Sequence, residues 1–319
     1  MNNISNPKPC LAMTISSDHN ILAQLRNEMV LRFVGVPEGD HDMATGLSWL
    51  TLVRRPSPTA AGRGILQPSV CLIVQGEKEM LVGRRVLRYG PGCYVQAGVA
   101  MPVSGRILEA TASAPYLGIR IDLDPKEVAA FILDMQLPVA PEREDVPVVT
   151  VEPAADALME AFLRLLHLLD RPRDLSVLSR LVKQEIMYHL ITAPGGLTLS
   201  RGLLGGQREH AVSRAISWIR EHYDQPLKIS DLADTVHLSA SVLHRRFKAA
   251  TVMSPLQYQK QVRLLEARKL LMSGGLEAAS VAFQVGYESP SQFSREYRRL
   301  FGAPPLQDAQ QLRGQAAEP

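Results

Sequence analysis

Leu238-Ser-Ala-Ser-Val-Leu-His-Arg-Arg-Phe-Lys248 has the spacing of a short helix with one apolar edge and one basic edge. Leu243 and Phe247 lie four residues apart and face a core, while Ser241, His244, Arg245 and Lys248 point elsewhere. The outer face carries no acid. Preceded by a small helix and a tight turn, such a helix fits the major groove of DNA. The apolar period supplies the neighbours: a helix from about Ala211 to His222, a short helix from Ser230 to Thr235, and N-cap positions at Ser230 and Ser239. Residues 229–250 therefore have helix-turn-helix spacing.

A second copy occupies 276–300. Leu276 to Gln284 supplies the short helix, Val285-Gly286-Tyr287 the turn, and Ser289-Pro290 a cap followed by a proline at the first helical position. In the second reader, Ser291 to Leu300, Phe293 and Tyr297 take the core edge, and Ser291, Gln292, Arg295 and Arg298 take the outer one. Between the copies, Ser254 to Met272 runs without a breaker after Pro255 and is stopped by Gly274-Gly275. At 1.5 Å per residue that helix spans roughly 27 Å. Two recognition helices held at its ends sit about 34 Å apart, one turn of B-DNA, so one chain reads two successive major-groove segments. Arg245 and Arg295 have the donors for guanine, Gln292 pairs with adenine, and Lys248, Arg298 and Arg299 suit phosphates.

Upstream of this region the pattern differs. A chain of 319 residues is long enough for two domains, and its net charge of +3 is so mild that a polyanionic partner is argued from the C-terminal clustering alone. Cys10, Cys71 and Cys93 form no CxxC pair and leave one over, which suits a reducing cytoplasm better than a disulfide scaffold. The first twenty residues lack a signal pattern and no window resembles an 18-residue apolar span, so a soluble cytoplasmic protein with no membrane partner is expected. Residues 1–17 read as a loose arm, followed by a helix near Asp18 to Phe33 with Asp18 as its cap and Ile21, Leu22, Leu25, Met29 and Val30 at helical spacing.

From Gly46 to Asp122 short apolar or alternating runs are separated by Gly and Pro: 47–53, 69–75, 80–82, 94–96, 107–110 and 116–121. These are strands of a sandwich or barrel. After Pro125 the pattern turns helical and stays so, with amphipathic segments near 153–169 and 175–191 broken into a hairpin at Arg171-Pro172-Arg173. Leu178, Leu181, Val182, Ile186 and Leu190 form the apolar set of the second segment, facing either the β domain or a dimer interface. Pro194-Gly195-Gly196 through Gly205-Gly206 reads as a linker. The expected architecture is α+β: a sensing and dimerisation domain at 1–193, a linker at 194–207 and an all-α DNA-binding domain at 208–313.

At Ile229-Ser-Asp-Leu-Ala233, Leu238-Ser239, Leu243 with Arg245, Phe247-Lys248, Pro255 with Tyr258, Arg263 with Ala267, Val281-Ala282, Val285-Gly286-Tyr287, Phe293-Ser294-Arg295 and Phe301-Gly302, the sequence resembles the AraC/XylS family of bacterial transcription regulators. The resemblance covers roughly 211–302. It implies a two-motif DNA-binding domain with base contacts at Ser241, His244 and Arg245 in the first reader and at Ser291, Gln292 and Arg295 in the second. Two departures stand out: Val252 occupies a position where the family usually has Gly, and Asp308-Ala309 replaces a usual Tyr-Arg. The β-rich half resembles one branch of the family at Pro68-Ser-Val-Cys71, Gln75-Gly-Glu-Lys78, Tyr89-Gly-Pro-Gly92, Met101-Pro-Val103, Pro115-Tyr-Leu117 and Leu123-Asp124, which implies a cupin-like effector domain.

Metal-dependent cupin enzymes need several His and a carboxylate, and there is no His between Gly46 and Asp122, so no metal, cofactor or enzymatic activity is expected. His41, His167, His189 and His210 are scattered and receive no role. Cys71 and Cys93 are candidate effector or redox residues facing the barrel interior; small buried hydrophobes are the plainer reading. The expected function is an effector-responsive activator whose partners are double-stranded DNA, RNA polymerase, an unidentified small molecule and a second copy of the chain. Two alternatives stay open: a small-molecule-binding or catalytic cupin-like protein whose helical half dimerises, and a repair enzyme carrying the same reader. The second needs a reactive cysteine cluster that the lone Cys10 does not supply.

Overall fold

The computed structural model of the chain describes residues 21–37, 39–137, 147–196, 199 and 211–317. Asp18, the loose arm, His210 and most of the expected linker lie outside them. Among the described residues ten antiparallel strands form two sheets, one of six strands in the order β1-β2-β9-β4-β7-β10 and one of four in the order β3-β8-β5-β6. The strands are β1 His41–Ala44, β2 Leu50–Arg55, β3 Gly62–Leu66, β4 Ser69–Gln75, β5 Glu77–Val82, β6 Arg85–Tyr89, β7 Cys93–Ala97, β8 Met101–Glu109, β9 Tyr116–Asp122 and β10 Val149–Pro153.

Side chains alternate across a strand, so a sheet covered on both sides needs apolar residues at odd and even positions alike. β4 meets that demand. Val70, Leu72 and Val74 join the core under α1 (Ile21–Arg32), α3 (Asp156–Leu168) and α4 (Pro172–Thr192), whereas Ile73 and Cys71 belong to the core between the sheets. α2 (Pro125–Asp134) starts at Asp124, whose side chain accepts from the Lys126 amide. Among the described residues no helix is long and apolar enough to cross a membrane.

Four strands escape the sequence reading. β1 is short, β3 is Gly-Arg-Gly-Ile-Leu, β6 alternates among arginines, and β10 interrupts the run expected to stay helical after Pro125. A five-residue edge strand within helical surroundings leaves little periodic signal. β10 nevertheless pairs in full register with β7, from Val149 opposite Ala97 to Pro153 opposite Cys93.

The helical hairpin packs on the sheet domain through a rotated stripe. α4 buries Ser179, Lys183, Ile186, Met187, Leu190 and Ile191, while Leu178 and Leu181 are exposed and so do not pack on the β domain, the first of the two expected placements. Val30 of α1 is likewise exposed. Lys183 accounts for the rotation of α4: its ammonium donates to Glu127 of α2 and lies 4.7 Å from the Trp49 ring centroid, so a lysine holds the inner face. An apolar strip of Val177, Leu181 and Tyr188 is left on the outside.

The C-terminal half comprises α5 (Ala211–Glu221), α6 (Ile229–Thr235), α7 (Ala240–Thr251), α8 (Pro255–Ser273), α9 (Ala278–Gln284), α10 (Pro290–Phe301) and α11 (Pro305–Ala317). α8 joins the two halves: the buried Tyr258 hydroxyl donates to the Ala100 carbonyl at 2.7 Å, and its ring meets Phe247 edge-on.

Candidate nucleic-acid interface

The two motifs repeat down to the backbone. In the first turn the His237 amide donates to the Asp234 carbonyl and the Leu238 amide to Ala233; in the second, Gly286 donates to Phe283 and Tyr287 to Ala282. Both turns place a residue at positive φ, His237 at 58° and Gly286 at 88°. Both recognition helices are capped by a serine, with Ser239 accepting from the Val242 amide and Ser289 from the Gln292 amide. Ser230 is not a cap, because α6 begins one residue earlier with Lys228 at the N-cap, and the Ser230 hydroxyl donates to Asp231.

Thirteen residues after each capping serine the helix ends in a left-handed residue whose amide donates 2.8 Å to a carbonyl four back: Val252 to Lys248, and Gly302 to Arg298. The family-typical glycine is thus replaced by a valine that keeps the same turn at a φ of 61°. A β-branched side chain is strained there. Val252→Gly is expected to raise stability by up to about 1 kcal/mol, strain relief exceeding the entropy that glycine adds to the unfolded chain. A thermal melt with a lower midpoint for the variant contradicts that.

Buried Leu243 and Phe247 anchor α7, and buried Phe293 and Tyr297 anchor α10. With those positions inside, Ser241, His244, Arg245 and Lys248 of α7 and Ser291, Gln292, Arg295, Arg298 and Arg299 of α10 are all exposed. Arg245 and Arg295 stand at the same distance from their caps. The one acid of α10, Glu296, turns to the side: it accepts from Lys260 at 2.9 Å, from the Tyr287 hydroxyl at 2.9 Å and from Gln292 at 3.2 Å. Burial pushes its carboxyl up, yet those hydrogen bonds hold it below the usual carboxylate range. Gln292 is thereby pre-oriented along its own helix.

α8 fixes both motifs to one frame. Ser254 and Gln257 form a capping box at its start, and Gly274 ends it. From its middle, Arg263 donates to the carbonyls of Tyr223, Gln225 and Gly286, and Gln259 donates to Tyr223 and Gln225. One guanidinium therefore ties the loop after α5 to the turn of the second motif. Near the C-terminal end Arg268 makes a two-pronged contact with Asp308 at 2.8 and 2.9 Å, and the Tyr297 hydroxyl donates to the same carboxylate at 2.8 Å. The Asp308-Ala309 departure is accordingly compensated inside the domain: Asp308 and Ala309 are both buried. Sequence reasoning missed this function of Asp308, since only the pairing with Arg268 reveals it.

In the sheet domain Cys71 is a free thiol on the inner face. Cys93 is 2% exposed and disulfide-bonded, against the expectation that the cysteines stay reduced, and so is not a free thiol.

Residues 46–198 match the family model described as an AraC-type transcriptional regulator N-terminus, and residues 232–311 match a helix-turn-helix domain model. Between them the models span most of the chain. A putative AraC-like transcription regulator of Streptomyces lividans is 34% identical over 120 residues, covering 38% of this chain and 38% of its own. The HTH-type transcriptional activator RhaS of Pectobacterium carotovorum is 31% identical over 100 residues, covering 31% of this chain and 36% of its own. The chain thus spans well under half the length of these curated relatives. Among solved structures, ToxT from Vibrio cholerae superimposes with a TM-score of 0.54 at 9% identity, over 82% of this chain and 97% of that one, a likeness of fold alone.

Proposed function

From the premise that the chain belongs to the AraC/XylS family of transcription regulators, we propose that it is a sequence-specific DNA-binding regulator that reads two adjacent major-groove segments and answers to a small molecule held by its N-terminal domain. The observation that carries this reading is the pair of matched motifs, each with its apolar edge buried and its basic edge exposed, mounted on one helix. Ser241, His244, Arg245, Ser291, Gln292 and Arg295 are the proposed base contacts, and Lys248, Arg298 and Arg299 the phosphate contacts. We assign the chain to activation, after its RhaS relatives, which are named activators, and on that reading place it in the cytoplasm with RNA polymerase as a partner. Self-association uses the apolar strip of Val177, Leu181 and Tyr188 on α4. The relatives bear the names of regulators, and we read no catalytic role.

Gel-shift titrations against the DNA upstream of the chain's own gene test the reading. Salt-sensitive, sequence-selective binding is expected, and Arg245→Ala or Arg295→Ala each lowers affinity for the specific site by about 1–3 kcal/mol, roughly 5- to 150-fold, with little change on random DNA. Absence of binding at low salt overturns the proposal.

A further inference from the structure

Facing inner surfaces of the two sheets carry an unusual set of polar groups. On the four-stranded sheet Lys78 of β5 stands directly opposite Tyr89 of β6, as cross-strand partners on one face. On the six-stranded sheet Cys71 of β4 and Tyr116 of β9 both abut Gly118. The Lys78 ammonium lies 6.0 Å from the Tyr116 ring centroid, which brings the two sheets' contributions together. Tyr89 and Tyr116 are 2% and 1% exposed.

Two observations point to a ligand. The buried Tyr89 hydroxyl has no hydrogen-bond partner among the described residues, a costly state for an O–H donor. The Lys78 Nζ makes no hydrogen bond or ion pair among them either, whereas the neighbouring cations are occupied: Arg55 pairs with Asp42 at 2.7 Å and Arg120 with Asp122 at 3.2 Å. Glycine on both walls lets these polar side chains lie close against the sheets. A Cβ on Gly105 would come within 3.4 Å of Lys78 Cε, and one on Gly118 within 3.3 Å of Cys71 Sγ and 3.4 Å of the Tyr116 hydroxyl.

The geometry points to an anion subsite between the sheets, in which Lys78 and Tyr89 hold the carboxylate of a small organic acid whose apolar body lies against Met80, Val95 and Ile107. A cation that makes no hydrogen bond or ion pair among the described residues, beside a phenol donor, matches a monoanion, and the surrounding apolar side chains favour a carbon skeleton over inorganic phosphate. Burial holds the Lys78 ammonium below the usual lysine range, and an incoming carboxylate gains a partner of opposite sign there. The subsite deepens the effector-responsive reading and rests on it only for its consequence at DNA.

Thermal melts of the full chain test the subsite with benzoate and hexanoate as probes and benzamide and hexanamide as uncharged counterparts. Either acid, at millimolar concentration, is expected to raise the midpoint by about 3 °C while the amides do not. Lys78→Met is expected to abolish the shift, Tyr89→Phe to reduce it, and Lys78→Met without probe to melt no lower than the wild type. The subsite is overturned by a wild type that responds to neither acid, by amides that act equally, by a Lys78→Met variant that still responds, or by one that melts lower. DNA binding of Lys78→Met without probe separates the two readings. Wild-type affinity leaves the regulator standing even where the subsite fails.

Discussion

Gly286→Ala is expected to unfold the second helix-turn-helix while leaving the sheet domain intact. The turn holds Gly286 at a φ of 88°, and a Cβ there would lie 2.0 Å from the Asp224 carbonyl oxygen and 2.8 Å from Arg263 Nη2. Neither neighbour can yield. The Asp224 carbonyl is backbone, flanked by Tyr223 and Gln225, whose carbonyls Arg263 and Gln259 hold, and Arg263 also binds the Gly286 carbonyl. Left-handed strain and a backbone collision combine, so the cost exceeds about 4 kcal/mol. His237 supplies the instructive contrast, because at the equivalent turn of the first motif the chain tolerates a side chain at a φ of 58°. Circular dichroism melts should therefore show lost helical signal for Gly286→Ala. Near-native melting would mean that the loop at 223–225 does not press on the turn.

Asp308→Ala follows from charge rather than from space. Arg268 and the Tyr297 hydroxyl both donate to this buried carboxylate. Removing it leaves a partly buried guanidinium without its partner and a buried phenol without its acceptor, which costs about 3–5 kcal/mol. The lost carboxylate also frees α11 from α8 and α10, so the second motif loosens before the first. Asp308→Asn, which keeps an acceptor, should recover part of the loss in a denaturant titration; equal damage from both variants would place the role of Asp308 elsewhere.

The C-terminal half was the more legible in sequence. Leu243, Phe247, Phe293 and Tyr297 had to face inward once helical period was granted, and the structure buries all four. The caps at Ser239 and Ser289 and the stop at Gly274 follow from local chemistry that needs no tertiary context. What sequence could not give was non-local. Arg263 reads as one more helix cation until Tyr223, Gln225 and Gly286 converge on it. In the sheet domain, β4 and β9 announced themselves by apolar content, whereas β1, β3, β6 and β10 depend on pairing with distant strands. Leu178 and Leu181 have good apolar spacing yet lie outside, because Lys183 found Glu127 and Trp49. Lys78 and Tyr89 carried no motif of their own as a pair; only the register of β5 with β6 sets them side by side.

The central claim, that one chain places two equivalent helices in successive major-groove segments, is tested most directly by base-resolved interference footprinting on the selected DNA site. The account predicts two patches of interference on one face of the duplex, centred about 10 base pairs apart, with Arg245→Ala erasing one patch and Arg295→Ala the other. A single patch, or two patches that both vanish with either substitution, would contradict it.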